Sequence, residues 1–223
     1  MRIQLYIAFV GILCFAMGCS RNSSEPTMNA PEEETSSNTS LSLTPREYVI
    51  WVRDKENHLV KEKNIDEIKF SSLYKPYNYI VCNEQKTEEI KSTTLSESIK
   101  QLEGMVYFDL KIAIEDGQGE LLKHKLSSPQ EYQNRVEYYA FKMQKDIDLV
   151  NGLDTIPCAL FHFERTYDIA PYSNFILGFS AKDVKKMKKD FSLVFHDKVF
   201  GKGIIQFHYT KEELSNVPKL KTI

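Results

Sequence analysis

Charge of one sign, cysteine and recognisable catalytic signatures are what this chain has little of. Its 29 Lys and Arg stand against 31 Asp and Glu, a formal net charge of −2, with acids and bases mixed along the length. That excludes the clustered basic face by which nucleic acid is held. Cysteine occurs four times, at Cys14, Cys19, Cys82 and Cys158. None belongs to a CxxC or Cys–His cluster, so a metal or redox centre has no ligand set at the usual spacing. The P-loop, dinucleotide, nucleophile-elbow and zinc-protease signatures are all missing. No repeat recurs at a solenoid or propeller period. The sequence names no chemistry and calls for no cofactor.

What is there begins at the N-terminus. Met1 and Arg2 precede a mostly apolar run from Ile3 to Phe15, which ends in Ala16-Met17-Gly18-Cys19. A basic start, a short greasy segment and small residues before a processing point describe a secretory signal peptide. The segment up to Cys19 is broken by Gly11 and Gly18, and its apolar run falls short of the roughly 20 residues a spanning helix needs. Ala16, Gly18 and Cys19 resemble a lipobox. There signal peptidase II cuts between Gly18 and Cys19, and Cys19 carries the lipid. Ala16 stands where most lipoboxes have leucine or another bulky aliphatic, so an ordinary cleaved signal remains the alternative. Residues 20–43 are rich in Ser, Asn, Thr, Pro and Glu. They hold too little apolar surface to offset the entropy of ordering. The chain therefore divides into a signal peptide over 1–18, a disordered polar tether over 19–43 and a single globular domain over 44–223.

Within that domain Thr44-Pro45-Arg46-Glu47 is a helix start, with Thr at the N-cap, Pro at N1 and Glu at N3. Residues 59–74 read as two short strands with Ile65, Ile68, Phe70 and Leu73 as core candidates. Pro76 restarts a helix through Tyr79, Ile80 and Val81. Thr94 and Glu97 repeat the capping-box spacing ahead of a helix that Gly104 closes. The clearest strand is 106–114, where Val106, Phe108, Leu110, Ile112 and Ile114 alternate with Tyr107, Asp109, Lys111 and Ala113. Ser128-Pro129-Gln130-Glu131 starts another helix, whose period shifts near Phe141. Asn151-Gly152 predicts a hairpin between strands at 147–149 and 156–163. Further strands are expected at 174–179, 191–195 and 204–209. About eight strands and three or four short helices without a βαβ rhythm predict an α+β fold, mainly an antiparallel sheet or sandwich.

Two of the cysteines, Cys82 and Cys158, stay with the folded part. An extracytoplasmic compartment permits a disulfide between them, with two buried free thiols as the other reading. A face shared by Cys158, Leu160, His162 and Glu164 makes His162 and Glu164, with His196 or His208, the one candidate set for a metal-dependent enzyme or hydrolase. Histidines satisfied on an ordinary sheet are the plainer interpretation. The polar strand face of Asp109, Lys111 and Glu115 reads as solvated. Tyr132, Tyr138, Tyr139, Tyr167 and Tyr172 suit either packing or a glycan- or protein-binding surface. The run Lys182 to Lys189 reads as a solvated helix or loop in preference to a phospholipid or glycan contact. Loop 165–172 and the turn 197–203 are the preferred places for a functional surface.

The lipobox, the polar tether, the opening Thr44-Pro45-Arg46-Glu47-Tyr48-Val49 with Trp51-Val52, and the stretch Ile156 to Arg165 together resemble small uncharacterised lipoproteins of the Bacteroidetes type. The resemblance implies a location, with membrane attachment through acyl chains such as palmitate, and no catalytic residue. In that group surface export goes with acidic residues directly after the lipidated cysteine. Here Ser20-Arg21-Asn22-Ser23 follows, and Glu32-Glu33-Glu34 comes later. A domain facing the periplasm is therefore expected, anchored to the cell membrane or outer membrane. The expected role is non-enzymatic: binding or scaffolding an envelope protein or glycan partner, with no nucleic acid.

Overall fold

Alternation of apolar and polar side chains builds two antiparallel sheets that share one core. The computed structural model describes residues 42–117, 119–166, 169–187 and 190–223. The signal segment, Cys19 and the tether as far as residue 41 lie outside them, as do Tyr167, Asp168, Lys188 and Lys189. The elements in chain order are β1 (Ser42–Leu43), α1 (Pro45–Arg53), β2 (Val60–Ile65), β3 (Ile68–Lys75), α2 (Tyr77–Gln85), α3 (Ser92–Leu102), β4 (Met105–Ile114), α4 (Pro129–Glu137), β5 (Ile147–Asn151), β6 (Asp154–Pro157), β7 (Leu160–Glu164), β8 (Tyr172–Ser180), α5 (Ala181–Lys186), β9 (Phe191–Asp197), β10 (Gly203–Tyr209), α6 (Lys211–Ser215) and β11 (Lys219–Leu220). One sheet runs β2-β3-β4-β8-β7 and the other β10-β9-β5-β6. This is the α+β fold with mainly antiparallel pairing that the patterning predicts, with additional short elements such as β1, α5, α6 and β11 beyond those the sequence reading counts.

The inner faces meet as in a sandwich. Phe108, Leu110 and Ile112 of β4 and Phe175, Leu177 and Phe179 of β8 are fully buried. They pack with Leu149, Leu193, Phe195, Ile205 and Phe207 from the opposite sheet. Phe108 sits at the centre, its ring 5.3 Å from Tyr209 and 6.3 Å from Phe191 across the gap. Burial of such side chains contributes roughly 1.5–3 kcal/mol each before entropy is counted.

A second, smaller cluster holds the helices at one end. Thr44 and Glu47 form the predicted capping box, and Tyr48 and Val52 of α1 bury against Leu59, Tyr79 and Ile80. Leu214, Val217 and Leu220 from the C-terminal segment pack against this cluster. β11 pairs in parallel with β1, so Ser42 and Leu43, assigned to the tether by composition, belong to the folded domain. The last residue is tied in as well, since Ser92 N–H donates to Ile223 O and Ile223 N–H to Ile90 O. That anchorage starts α3 at Ser92, so the Thr94–Glu97 spacing does not mark its N-terminus.

Two other local expectations change. The hairpin at Asn151-Gly152 forms, with Gly152 at φ +57°, but its second arm does not run through to residue 163. Asp154–Pro157 pairs with β5, and the chain then crosses to the other sheet. Cys158 N–H donates to Ile147 O on one side, and Ala159 N–H donates to Gly178 O on the other. The shift of period near Phe141 is a π turn over Tyr138–Lys142 that continues α4.

Candidate functional site

The outer face of the five-stranded sheet carries a groove of about 650 Å³. Register builds it. Directly paired residues across antiparallel strands present their side chains on one face. Glu62, Ser71, Lys111, Asn174 and Glu164 therefore form a single rung over β2, β3, β4, β8 and β7. The next rung is Val60, Leu73, Asp109, Ile176 and His162. Arg53 of α1 and Tyr79 and Asn83 of α2 line one side of the groove. Arg53 Nε donates to Tyr79 Oη at 2.9 Å, and its Nη2 donates to Asn83 Oδ1 at 2.7 Å.

Five cationic side chains, Arg53, Lys55, Lys69, Lys75 and Lys111, meet three carboxylates, Glu62, Asp109 and Glu164. Lys55 and Lys69 share Glu62 at 2.7 and 3.1 Å. Lys75 Nζ lies 3.0 Å from Asp109 Oδ1, with the two side chains 12 % and 13 % exposed. Burial pushes the Asp109 carboxyl above its ordinary value, and the charges of Lys75 and Lys111 pull the other way. Among the described residues Lys111 makes no ion pair. Its Nζ stands 4.7 Å from the centre of the Tyr172 ring, a cation–π contact. Asn174 is 6 % exposed; its Nδ2 donates to Glu164 Oε2, while its Oδ1 has no donor. A buried acceptor left in that state costs roughly 1–3 kcal/mol.

The residues singled out from the sequence fall apart in space. His162 and Glu164 do share the outer face of β7, as alternation predicts. His196 and His208 lie on β9 and β10, where they alternate with the core-facing Phe195 and Phe207, so they point away from the core on the other sheet. The core separates the two pairs, and the candidate metal or hydrolase set is not assembled. Among the described residues no three His, Cys, Asp or Glu side chains converge to hold a metal ion. His208 Nδ1 meets Ser192 Oγ at 3.4 Å on an exposed strand pair.

The disulfide between Cys82 and Cys158 is not formed. Both are free, buried thiols, Cys82 on α2 and Cys158 at the crossing between sheets. Burial pushes them up to about 11 and about 12 respectively.

The turn 197–203 is a structural device. Asp197 accepts from the N–H groups of Val199, Phe200 and Lys202, and Lys202 reaches Asp66 at 2.8 Å on the β2–β3 turn. In the loop after β7, Thr166 Oγ1 donates to Tyr172 O and Arg165 donates to Tyr132 Oη. Tyr139 is wholly buried against Phe163 and Phe175, and Tyr138 donates to Asp146. The tyrosines therefore divide: Tyr139 is core, Tyr132 and Tyr138 pack at its rim, and Tyr172 lines the groove. In the basic run, Val184 packs against the core and Met187 is buried, which orients α5 with Lys185 and Lys186 toward solvent.

The groove was missed in the sequence because its members are remote along the chain. The one available signal was the polar face of Asp109 and Lys111 opposite a fully apolar one. No family model and no curated protein matches this sequence. A solved structure described as a novel protein of unknown function from Burkholderia pseudomallei K96243 aligns with a TM-score of 0.35 and 9 % identity, over 79 % of this chain and 94 % of that one.

Proposed function

We propose that this chain is a lipid-anchored envelope protein, attached through Cys19 and facing the periplasm, whose domain binds a partner molecule in the sheet groove and catalyses nothing. The groove carries the binding half of this reading. It collects charged and hydrogen-bonding side chains from five strands and two helices around a partly apolar floor of Val60, Leu73 and Ile176. A few polar groups set on such a floor are what a binding cleft needs. The anchoring half rests on the Ala16-Met17-Gly18-Cys19 segment and on the polar stretch behind it.

The two halves have separate tests. Cys19→Ala moves the protein from the membrane to the soluble fraction or blocks its processing, and labelled palmitate enters the wild type alone. An unlabelled wild type, or a variant that stays in the membrane with unchanged mobility, overturns the anchor. For the groove, crosslinking and pull-down of the intact protein recovers a partner that Ile176→Arg loses. Recovery of the protein alone at native abundance overturns the binding role.

A further inference from the structure

We propose that the groove takes a carboxylate-bearing polyhydroxy ligand, an acidic sugar, whose carboxylate is held by Lys111. This rests on the groove being a binding site. Its five cationic and three anionic side chains leave an excess of two positive charges, on a chain whose formal net charge is −2. The excess is localised. Lys55, Lys69 and Lys75 each have a carboxylate partner, whereas Lys111 rests on the Tyr172 ring. Arg53 is held by two neutral groups, the Tyr79 hydroxyl and the Asn83 amide oxygen. An incoming anion would meet Lys111 without first breaking an ion pair.

The rest of the lining selects the kind of anion. Phosphate sites draw on clusters of free backbone N–H groups, at helix N-termini or in nests. Here the middle of the floor, β3, β4 and β8, is paired on both sides, so its amides are spent in the ladders. Recognition falls to side chains, a point-charge ammonium together with Ser71, Asn83 and Asn174. Those hydroxyl and amide groups suit a ligand rich in hydroxyls. The Asn174 Oδ1, buried and without a donor, is an acceptor that a sugar hydroxyl would satisfy. The volume of about 650 Å³ lies within the range of roughly 300–1,000 Å³ typical of small-molecule sites.

Isothermal titration of the full chain in non-ionic micelles tests this with digalacturonate, neutral lactose and inorganic phosphate. Digalacturonate binds, lactose binds at least about tenfold more weakly, and raised salt weakens the acidic ligand alone. Lys111→Met, which keeps the aliphatic stem, weakens digalacturonate about tenfold or more, and Lys111→Arg restores most of it. Circular dichroism confirms that both variants are folded. Lactose binding as tightly, phosphate binding more tightly than digalacturonate, no heat with digalacturonate, or an unchanged affinity in Lys111→Met each overturns the proposal. The groove itself is judged separately, since loss of the crosslinked partner in Ile176→Arg stands whether or not the sugar binds.

Discussion

Tyr209 Oη donates to Ser72 Oγ at 2.8 Å between the two sheets, with both residues wholly buried. Ser72 is a polar residue on the inner face of β3, and the phenol from β10 is its partner across the sheets. Each satisfies the other, so the pair fixes how the two sheets sit. Tyr209→Phe strands the serine hydroxyl and destabilises the fold by about 1–3 kcal/mol. Adding Ser72→Ala restores most of that loss. A denaturant double-mutant cycle reads the coupling, and additive losses would show that the two groups are independent.

Lys75 and Asp109 make a second enforced pair, in the groove wall. Lys75→Met leaves a mostly buried carboxylate without its cation and costs roughly 3–5 kcal/mol, more than Lys75→Met combined with Asp109→Leu. The sign of the pH effect follows from burial, which raises the Asp109 carboxyl. A carboxyl with a folded value above its unfolded one takes up protons on folding, so its contribution grows as pH falls and is lost as pH rises through the raised value. Lys75→Met steepens that dependence. Urea melts at several pH values above the ordinary carboxylate range check it, and a flat difference between the two proteins contradicts it.

Glu67 behaves in the opposite sense. Its carboxyl is held down to about 2, first by the Lys125 hydrogen bond and then by its own backbone N–H. Lys125 lies 2.7 Å away, and Lys202 from the 197–203 turn lies at 3.7 Å. The folded value is below the unfolded one, so the contribution is fully present above the ordinary 4.5 and is lost as pH falls toward about 2. Glu67→Gln therefore flattens the stability profile across that interval, with its loss greatest at neutral pH and vanishing as pH falls toward about 2. Thermal melts of both proteins through the acid range decide it.

How much of this could be read in advance depends on the range of the interaction. The strand 106–114, the Thr44–Glu47 cap and the Asn151-Gly152 turn are local patterns, and each is where the sequence puts it. The helix Lys211–Ser215 escaped notice although Thr210 and Glu213 carry a capping box, because it spans little more than one turn. The crossing at Cys158 was not legible, since alternation tells which face a residue takes and not which sheet it joins. The rung from Glu62 to Glu164 depends on four separate registers, and no window along the chain contains it.

Cys82 and Cys158 offer a test of burial. With thiols pushed up to about 11 and about 12, neither has appreciable thiolate at neutral pH, and the thiolate is the nucleophile. Iodoacetamide should leave both unmodified in the folded protein at pH 8 and label both in denaturant, as peptide mass spectrometry resolves by residue. Rapid labelling of Cys158 in the native state would show that the crossing segment opens readily.

Gly178 tests that crossing directly. It pairs with Leu160 at the start of β7, and its carbonyl accepts from Ala159 N–H. A Cβ at this position would stand 3.0 Å from Leu160 Cβ and 3.4 Å from Met105 Cε. Met105 ends in a flexible thioether and can move aside. Leu160 Cβ is fixed by the backbone and can retreat only if β7 itself shifts. β7 is an edge strand of the sheet, paired on one side, so it is the element that gives way. Gly178→Ala should therefore raise amide hydrogen exchange in residues 160–164 while β4 and β8 stay protected. Displacing β7 also moves Glu164 off Asn174, which carries the change into the groove. Leu160→Gly, which removes the clashing Cβ, should restore protection in the double variant to near its wild-type level, apart from the cost of a glycine in a strand. Unchanged exchange in Gly178→Ala, or no rescue by Leu160→Gly, would mean that this contact does not set the position of the edge strand.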